Sequence, residues 1–287
     1  MEEEKKKFHK LLNSILFVII LSLGIVFYSK YVGVKGLIVK EYRVESNILT
    51  KNFSGLKIVH FSDLLYKSTV DRDDIKKLIN KINTLRPDII VFTGDLINKN
   101  VKITNDDREF IINSLTKMHA SIGKYAVYGD YDYSIDNYES IMTKSNFKVL
   151  NNTYDEVLYK TDEPLYVVGL PSSIKDTVKI NEAFSFYKDE DRRYIICLVH
   201  DGQTIKYLDD SNYEVDLILG GHSLNGSVVI PYYGPLFVDK DSGKYYQEEY
   251  TKGITKIFIS SGIGTNKYSY RFNNKPSINL YRLKAQS

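Results

Sequence analysis

Short runs in which nearly every residue is apolar recur along this chain of 287 residues: 56–61, 88–93, 125–128, 194–199 and 217–219. A run this short and this apolar predicts a strand buried on both faces. Other stretches have helical spacing. Residues 71–85 place Ile75, Leu78, Ile79, Ile82 and Leu85 on one face. Residues 106–118 predict a second helix, whose acidic first turn suits the helix dipole. Residues 137–145 predict a third. Residues 157–159 and 165–168 predict a hairpin, and the tail is β-rich at 228–230, 256–260 and 277–283. Strand–helix alternation followed by strands implies a layered α/β domain with helices outside.

The N-terminus is a separate unit. Leu11 to Ser29 contains no charged residue, long enough for a membrane-spanning helix. Lys5, Lys6, Lys7 and Lys10 precede it. A cleaved signal peptide needs a small-x-small site after the apolar run, and the only candidate, Ser22-Leu23-Gly24, lies inside it. An uncleaved anchor is the expectation. The upstream lysines favour an inside N-terminus and a domain outside the cytoplasm. Lys30, Lys35, Lys40 and Arg43 weaken that bias. The expected division is a basic flank over 1–10, an anchor over 11–32, a linker and edge segment over 33–54, and one domain over 55–287.

A net charge of +3, with no basic run beyond the N-terminus, argues against nucleic acid as a partner. Cys197 is the single cysteine, so no internal disulfide forms; it reads as a small buried hydrophobe.

The apolar runs share one property: each ends in polar residues. The endings are Ser62-Asp63, Thr93-Gly94-Asp95, Gly129-Asp130-Tyr131, His200-Asp201, and Gly221-His222-Ser223. Open α/β sheets bind ligands at the carboxyl ends of their strands. Carboxylates and imidazoles gathered there suit a divalent metal. One such ending is a common turn; five in succession are not.

The order Ser-Asp, Thr-Gly-Asp, Gly-Asp-Tyr-Asp, His and Gly-His-Ser resembles the calcineurin-like metallophosphoesterases, in particular their bacterial membrane-anchored branch. The resemblance runs from about residue 55 to 284. It includes Arg86-Pro-Asp-Ile-Ile-Val-Phe-Thr-Gly-Asp95, Ile259-Ser-Ser-Gly-Ile-Gly264, Tyr270-Arg-Phe272 and Pro276. It implies a four-layer α-β-β-α sandwich after one transmembrane helix, and a two-metal centre that hydrolyses phosphate esters.

The departures are specific. The first family motif, Asp-x-His, is Asp63-Leu64-Leu65 here. The third, Gly-Asn-His-Asp/Glu, is Gly129-Asp130-Tyr131-Asp132. The last, Gly-His-Thr-His, is Gly221-His222-Ser223-Leu224. By the resemblance, the first metal keeps only Asp63 and Asp95, too few for tight coordination. The second keeps Asp95, Asp130, His200 and His222. Tyr131 replaces a histidine that serves the leaving group or the phosphate, and its ordinary pKa near 10 makes it a weaker acid. Asp63 is a candidate to hold the attacking water or, with Asp95, to recruit a second ion such as Mg²⁺ or Mn²⁺ loosely.

Three readings follow. The first is a membrane-anchored phosphoesterase with one firm site for Mn, Zn, Fe or Mg, acting on a lipid-linked or envelope phosphate. The second is a pseudoenzyme that binds or scaffolds. The third is a metal-free domain with Asp130 and His222 merely hydrogen-bonded. Arg271 either contacts phosphate or plays a structural part, with the structural part favoured. His9, His60 and His119 fall outside the motifs.

Overall fold

The fold is seen in a computed structural model that describes every residue except 100, 267 and 287. Two six-stranded sheets face each other. The first has the order β1 (Ile38–Ser46), β14 (Ser277–Ala285), β2 (Lys57–Phe61), β3 (Ile89–Phe92), β4 (Gly123–Ala126) and β5 (Lys148–Val149). The second runs β12 (Glu249–Lys252), β13 (Thr255–Ile259), β9 (Leu217–Gly220), β8 (Ile195–Leu198), β7 (Leu165–Gly169) and β6 (Thr153–Val157). Helices α2 (Arg72–Leu85), α3 (Asn105–Thr116) and α4 (Tyr138–Lys144) pack outside the first sheet. The shorter α5 (Ile180–Ala183) and α6 (Thr204–Asp209) pack outside the second.

The apolar runs explain the layering. Along β3, Ile89 and Val91 enter the core between the sheets, while Ile90 and Phe92 face the outer helices. Along β8, Ile196 and Leu198 face the inner core, and Ile195 and Cys197 the outer one. Successive side chains point to opposite faces, so a strand covered on both sides is apolar throughout. β2, β3 and β4 run parallel, as do β7, β8 and β9, which brings their carboxyl ends to the same edge of each sheet. The predicted four-layer sandwich is the one observed.

α2 and α3 start where sequence places them. Asp71 accepts from the backbone N–H groups of Asp73 and Asp74, and Thr104 accepts from Asp107; in both caps the residue three positions on closes a capping box. Two strands differ from expectation. The hairpin's first arm is Thr153–Val157 rather than 157–159. This edge strand reads Thr-Tyr-Asp-Glu-Val, with three polar residues, so it carries no continuous apolar run. The third apolar run is paired over Gly123–Ala126, and 127–128 have already entered the loop.

The N-terminal helix α1 (Glu2–Phe27) continues as a π-helical turn over Tyr28–Val32, a span of 31 residues long and apolar enough to cross a membrane. Nineteen charge-free residues at 1.5 Å each span about 28 Å, close to a bilayer's hydrocarbon thickness. None of α1 is buried in the domain. The expected basic flank is helical too. The segment 33–54 supplies β1, which pairs with the C-terminal β14 over nine residues.

Candidate metal centre

The two sheets deliver their site residues from opposite sides. Asp95 follows β3 and Asp130 follows β4; His200 follows β8 and His222 follows β9. One ligand atom from each of these four lies within 4.8 Å of the others, and all four residues are buried. His200 Nε2 is 3.2 Å from Asp130 Oδ1 and 3.5 Å from Asp95 Oδ2. His222 Nδ1 is 3.3 Å from Asp130 Oδ1 and 3.3 Å from His200 Nε2.

Outer contacts fix the ligands. His200 Nδ1 donates to the Thr93 carbonyl at 2.6 Å, so that a neutral His200, as a metal ligand must be, would turn its Nε2 lone pair to the cluster. The Tyr131 backbone N–H donates to Asp95 Oδ1 at 2.9 Å. Asp132, which sequence reasoning left without a role, clamps the two loops together. Its carboxylate accepts from the Asp95 N–H (2.8 Å), the Leu96 N–H (2.8 Å) and the Gly129 N–H (2.9 Å). The acid closing Gly129-Asp130-Tyr131-Asp132 was its only signal.

The loops meet so closely that glycine is required. A Cβ on Gly94, whose φ is +94°, would lie 2.3 Å from the Gly129 nitrogen. One on Gly129 would lie 2.3 Å from Asp95 Oδ1. Asp63, Leu65, Asp95, His222 and Leu224 all have positive φ, between 46° and 65°. Non-glycine residues in this region store strain of order 1–3 kcal/mol each, and such residues cluster at functional sites.

Electrostatics favour a cation. Asp63, Asp95 and Asp130 are buried, and no lysine or arginine forms an ion pair with them among the described residues. Three buried carboxylates that face two imidazoles and no lysine or arginine are costly to keep ionised. Burial pushes the Asp63 pKa up, and the Asp95 charge adds to this. Burial alone would raise Asp130 too, but hydrogen bonds from His200 and His222 hold it well below the ordinary range. Burial acts to lower the His200 pKa; Asp95, Asp130 and Asp63 outweigh it and raise it. Two carboxylates and two imidazoles, with His200 locked in the ligating tautomer, are a donor set that fits a divalent metal.

The remaining candidates sit around this quartet. Asp63 is outside it: its Oδ2 accepts the His222 N–H at 3.1 Å. Leu65 (0% exposed) and Leu224 (2%) occupy the positions of two of the missing histidines. A Cβ added to Gly262 would meet Leu224 Cδ2 at 2.4 Å and Asp63 Cβ at 2.9 Å, so both pack on that glycine. The Tyr131 phenol donates to Asn266 Oδ1, and burial, with the Asp95 and Asp130 charges, raises its pKa above the usual tyrosine value. Arg271 is fully buried and donates to the carbonyls of Ser261, Gly262, Gly264 and Asn274. Its role is structural, as favoured from sequence. His60 is buried in β2 against Thr93 Oγ1 at 2.8 Å.

A profile of the calcineurin-like phosphoesterases matches residues 56–226. The chain belongs to this family. It is similar to metallophosphoesterase YkuE of Bacillus subtilis (strain 168), at 30% identity over 261 residues, covering 90% of this chain and 89% of that one. It is similar to UDP-2,3-diacylglucosamine pyrophosphatase LpxG of Chlamydia trachomatis, at 25% identity over 293 residues and 82% and 86% of the two chains. A transmembrane protein with metallophosphoesterase domain from Danio rerio is 22% identical over 253 residues, covering 82% of this chain and 55% of that one. The family is one of phosphoesterases, hydrolases acting on phosphate esters; among these relatives LpxG is named a pyrophosphatase and the Danio rerio protein a transmembrane one, so the family includes a membrane-linked branch. In this metallophosphoesterase the quartet is a candidate metal-binding cluster.

Proposed function

We propose that this metallophosphoesterase is a membrane-anchored hydrolase that works from one complete metal position, held by Asp95, Asp130, His200 and His222. The observation that carries this is the buried quartet itself, with ligand atoms inside 4.8 Å. A divalent ion bound there supplies Lewis acidity to a phosphoryl oxygen and acidifies water. Thr93 and Tyr131 hold His200 and Asp95 in ligating geometry, and Asp63 positions the attacking water. Mn, Zn, Fe and Mg are all compatible with this donor set.

The proposed substrate is a lipid-linked or envelope phosphate. Support comes from α1 and from the lipid substrate in the name of LpxG. The domain is placed outside the cytoplasm on the strength of Lys5, Lys6, Lys7 and Lys10 before the apolar run.

One observation favours a second reading. Leu65 and Leu224 are buried where the family pattern has imidazoles, so the other metal position lacks half its ligands. A binding protein that retains the metal without turnover is that alternative. Metal analysis of the detergent-solubilised full chain, together with Mn²⁺-dependent hydrolysis of a chromogenic phosphodiester, separates the two. About one ion per chain, with activity and metal both lost in Asp95→Ala, supports the enzyme. One ion with no turnover supports the pseudoenzyme, and no ion refutes both.

A further inference from the structure

The last site loop leads directly into the most exposed apolar surface of the domain. After Gly226 the chain forms a hairpin from β10 (Val229–Ile230) and β11 (Gly234–Pro235). Tyr232 at its tip is fully exposed and Tyr233 is 77% exposed. Ile230, Leu236, Phe237 and Val238 are exposed as well. Large contiguous apolar patches of this kind mark interaction surfaces.

The position of the hairpin says what covers it. Its base pairs with Phe272: Val229 N–H donates to the Phe272 carbonyl at 2.9 Å, and Phe272 N–H to the Ser227 carbonyl at 3.1 Å. The Phe272 ring lies edge-on to Tyr28 of the N-terminal helix, centroids 6.2 Å apart. An apolar groove of about 350 Å³ runs from Phe272 along Phe17, Leu21, Gly24 and Tyr28. Leu21 stands about 10 Å along the helix axis from Tyr28, within the charge-free stretch. The domain therefore reaches alongside the part of α1 that lies in the bilayer. Next to Phe272, Arg271 N–H donates to the Ser29 carbonyl at 2.9 Å, and Gly33 packs on the Arg271 backbone. Exposed Lys30 and Lys275 stand at the same end, where lipid phosphates would meet them.

We propose that residues 228–238 are a second membrane contact, a hairpin whose aromatic tip enters the interfacial layer beside α1. Tyrosine and phenylalanine favour that layer, and amphipathic segments bury apolar faces there to a shallow depth. The hairpin's far end returns to the site: Asp239 Oδ1 lies 4.0 Å from His222 Nε2. Seating the hairpin on lipid turns the metal quartet towards the bilayer surface, so a phosphate carried by a lipid approaches from the membrane. The inference rests on α1 lying in a membrane, and does not require turnover.

The test uses the full chain in liposomes of phosphatidylcholine and phosphatidylglycerol, in a Cys197→Ala background. A Tyr233→Cys variant carries an environment-sensitive fluorophore. An Asp189→Cys variant carries the same label before the N-terminal end of β8, opposite the site edge. The expected result is a blue shift at 233, with quenching by doxyl-labelled lipid and protection from aqueous iodide, none of it seen at 189. A label at 233 that iodide quenches fully, on protein that floats with the liposomes, overturns the hairpin contact and leaves the anchor standing. Protection from iodide without quenching by lipid shows a covering protein instead, and overturns it too. Protein that fails to float refutes the anchor and the hairpin together.

Discussion

The backbone N–H of Tyr131 lies 2.9 Å from Asp95 Oδ1, while the phenol of the same residue turns away to Asn266. The residue holds a ligand through its backbone and offers no acidic side chain to the leaving group. Tyr131→Phe is therefore expected to change phosphodiester turnover by less than about threefold. Tyr131→His places an imidazole with an ordinary pKa near 6.5 at that position. Turnover is expected to rise by about tenfold, with a new acidic limb in the pH profile of kcat/KM. Equal rates for the two variants would refute this account.

Leu65 and Leu224 have φ of 46° and 51°. Histidine visits this left-handed region more readily than leucine does. The double variant Leu65→His/Leu224→His is expected to raise bound metal from about one to about two ions per chain, and to speed hydrolysis. Elemental analysis reads the first effect directly. A chain that stays at one ion would show that the pocket beside Asp63 is closed by packing as well as by chemistry.

Asp132 accepts three backbone N–H groups, and burial together with the Asp95 charge pushes its pKa up to about 7 against the effect of those donors. In Asp132→Asn the amide nitrogen cannot accept, so at least one buried N–H loses its partner. The expected cost is about 2–3 kcal/mol in urea unfolding, with weaker metal retention. Asp136→Asn, on the exposed surface, is expected to change neither.

His60 has its pKa lowered to about 3 by burial. The unfolded chain takes up a proton near pH 6.5, and the folded chain takes it up only near 3. Stability is whole above pH 6.5 and falls by about 1.4 kcal/mol per pH unit as pH drops through that window. His60→Gln is expected to remove this slope whatever its effect at pH 7. Denaturant midpoints measured from pH 7 to pH 4 test it, and an unchanged slope would place the acid sensitivity elsewhere.

The central strands were legible because burial on both faces leaves nothing but apolar residues in them, as in Ile89–Phe92 and Ile195–Leu198. The edges were harder to read. Thr153–Val157 lies at a sheet edge and carries exposed and half-buried polar residues, which hide it from an apolar-run pattern, so the hairpin arm falls earlier than that pattern predicts. The quartet was readable because its members follow parallel neighbours, whose carboxyl ends coincide once the sheets form. What sequence did not show was the support beneath it. Nothing in Thr93 or Asp132 announces a carbonyl aimed at His200 Nδ1 or a carboxylate gripping three amides. Those contacts depend on how two loops cross.

β14 lies between β1 and β2, with Ser277 against Ile38 on one side and Asn279 against His60 on the other. Both neighbours are synthesised more than about two hundred residues before it, so the first sheet cannot close until β14 has emerged. Contacts this distant in sequence fold slowly, because the loop entropy must be overcome before any pairing is gained. By then α1 has already been made. The first sheet thus closes only once β14 is available, and loss of residues 277–285 would leave two strands without the partner that joins them.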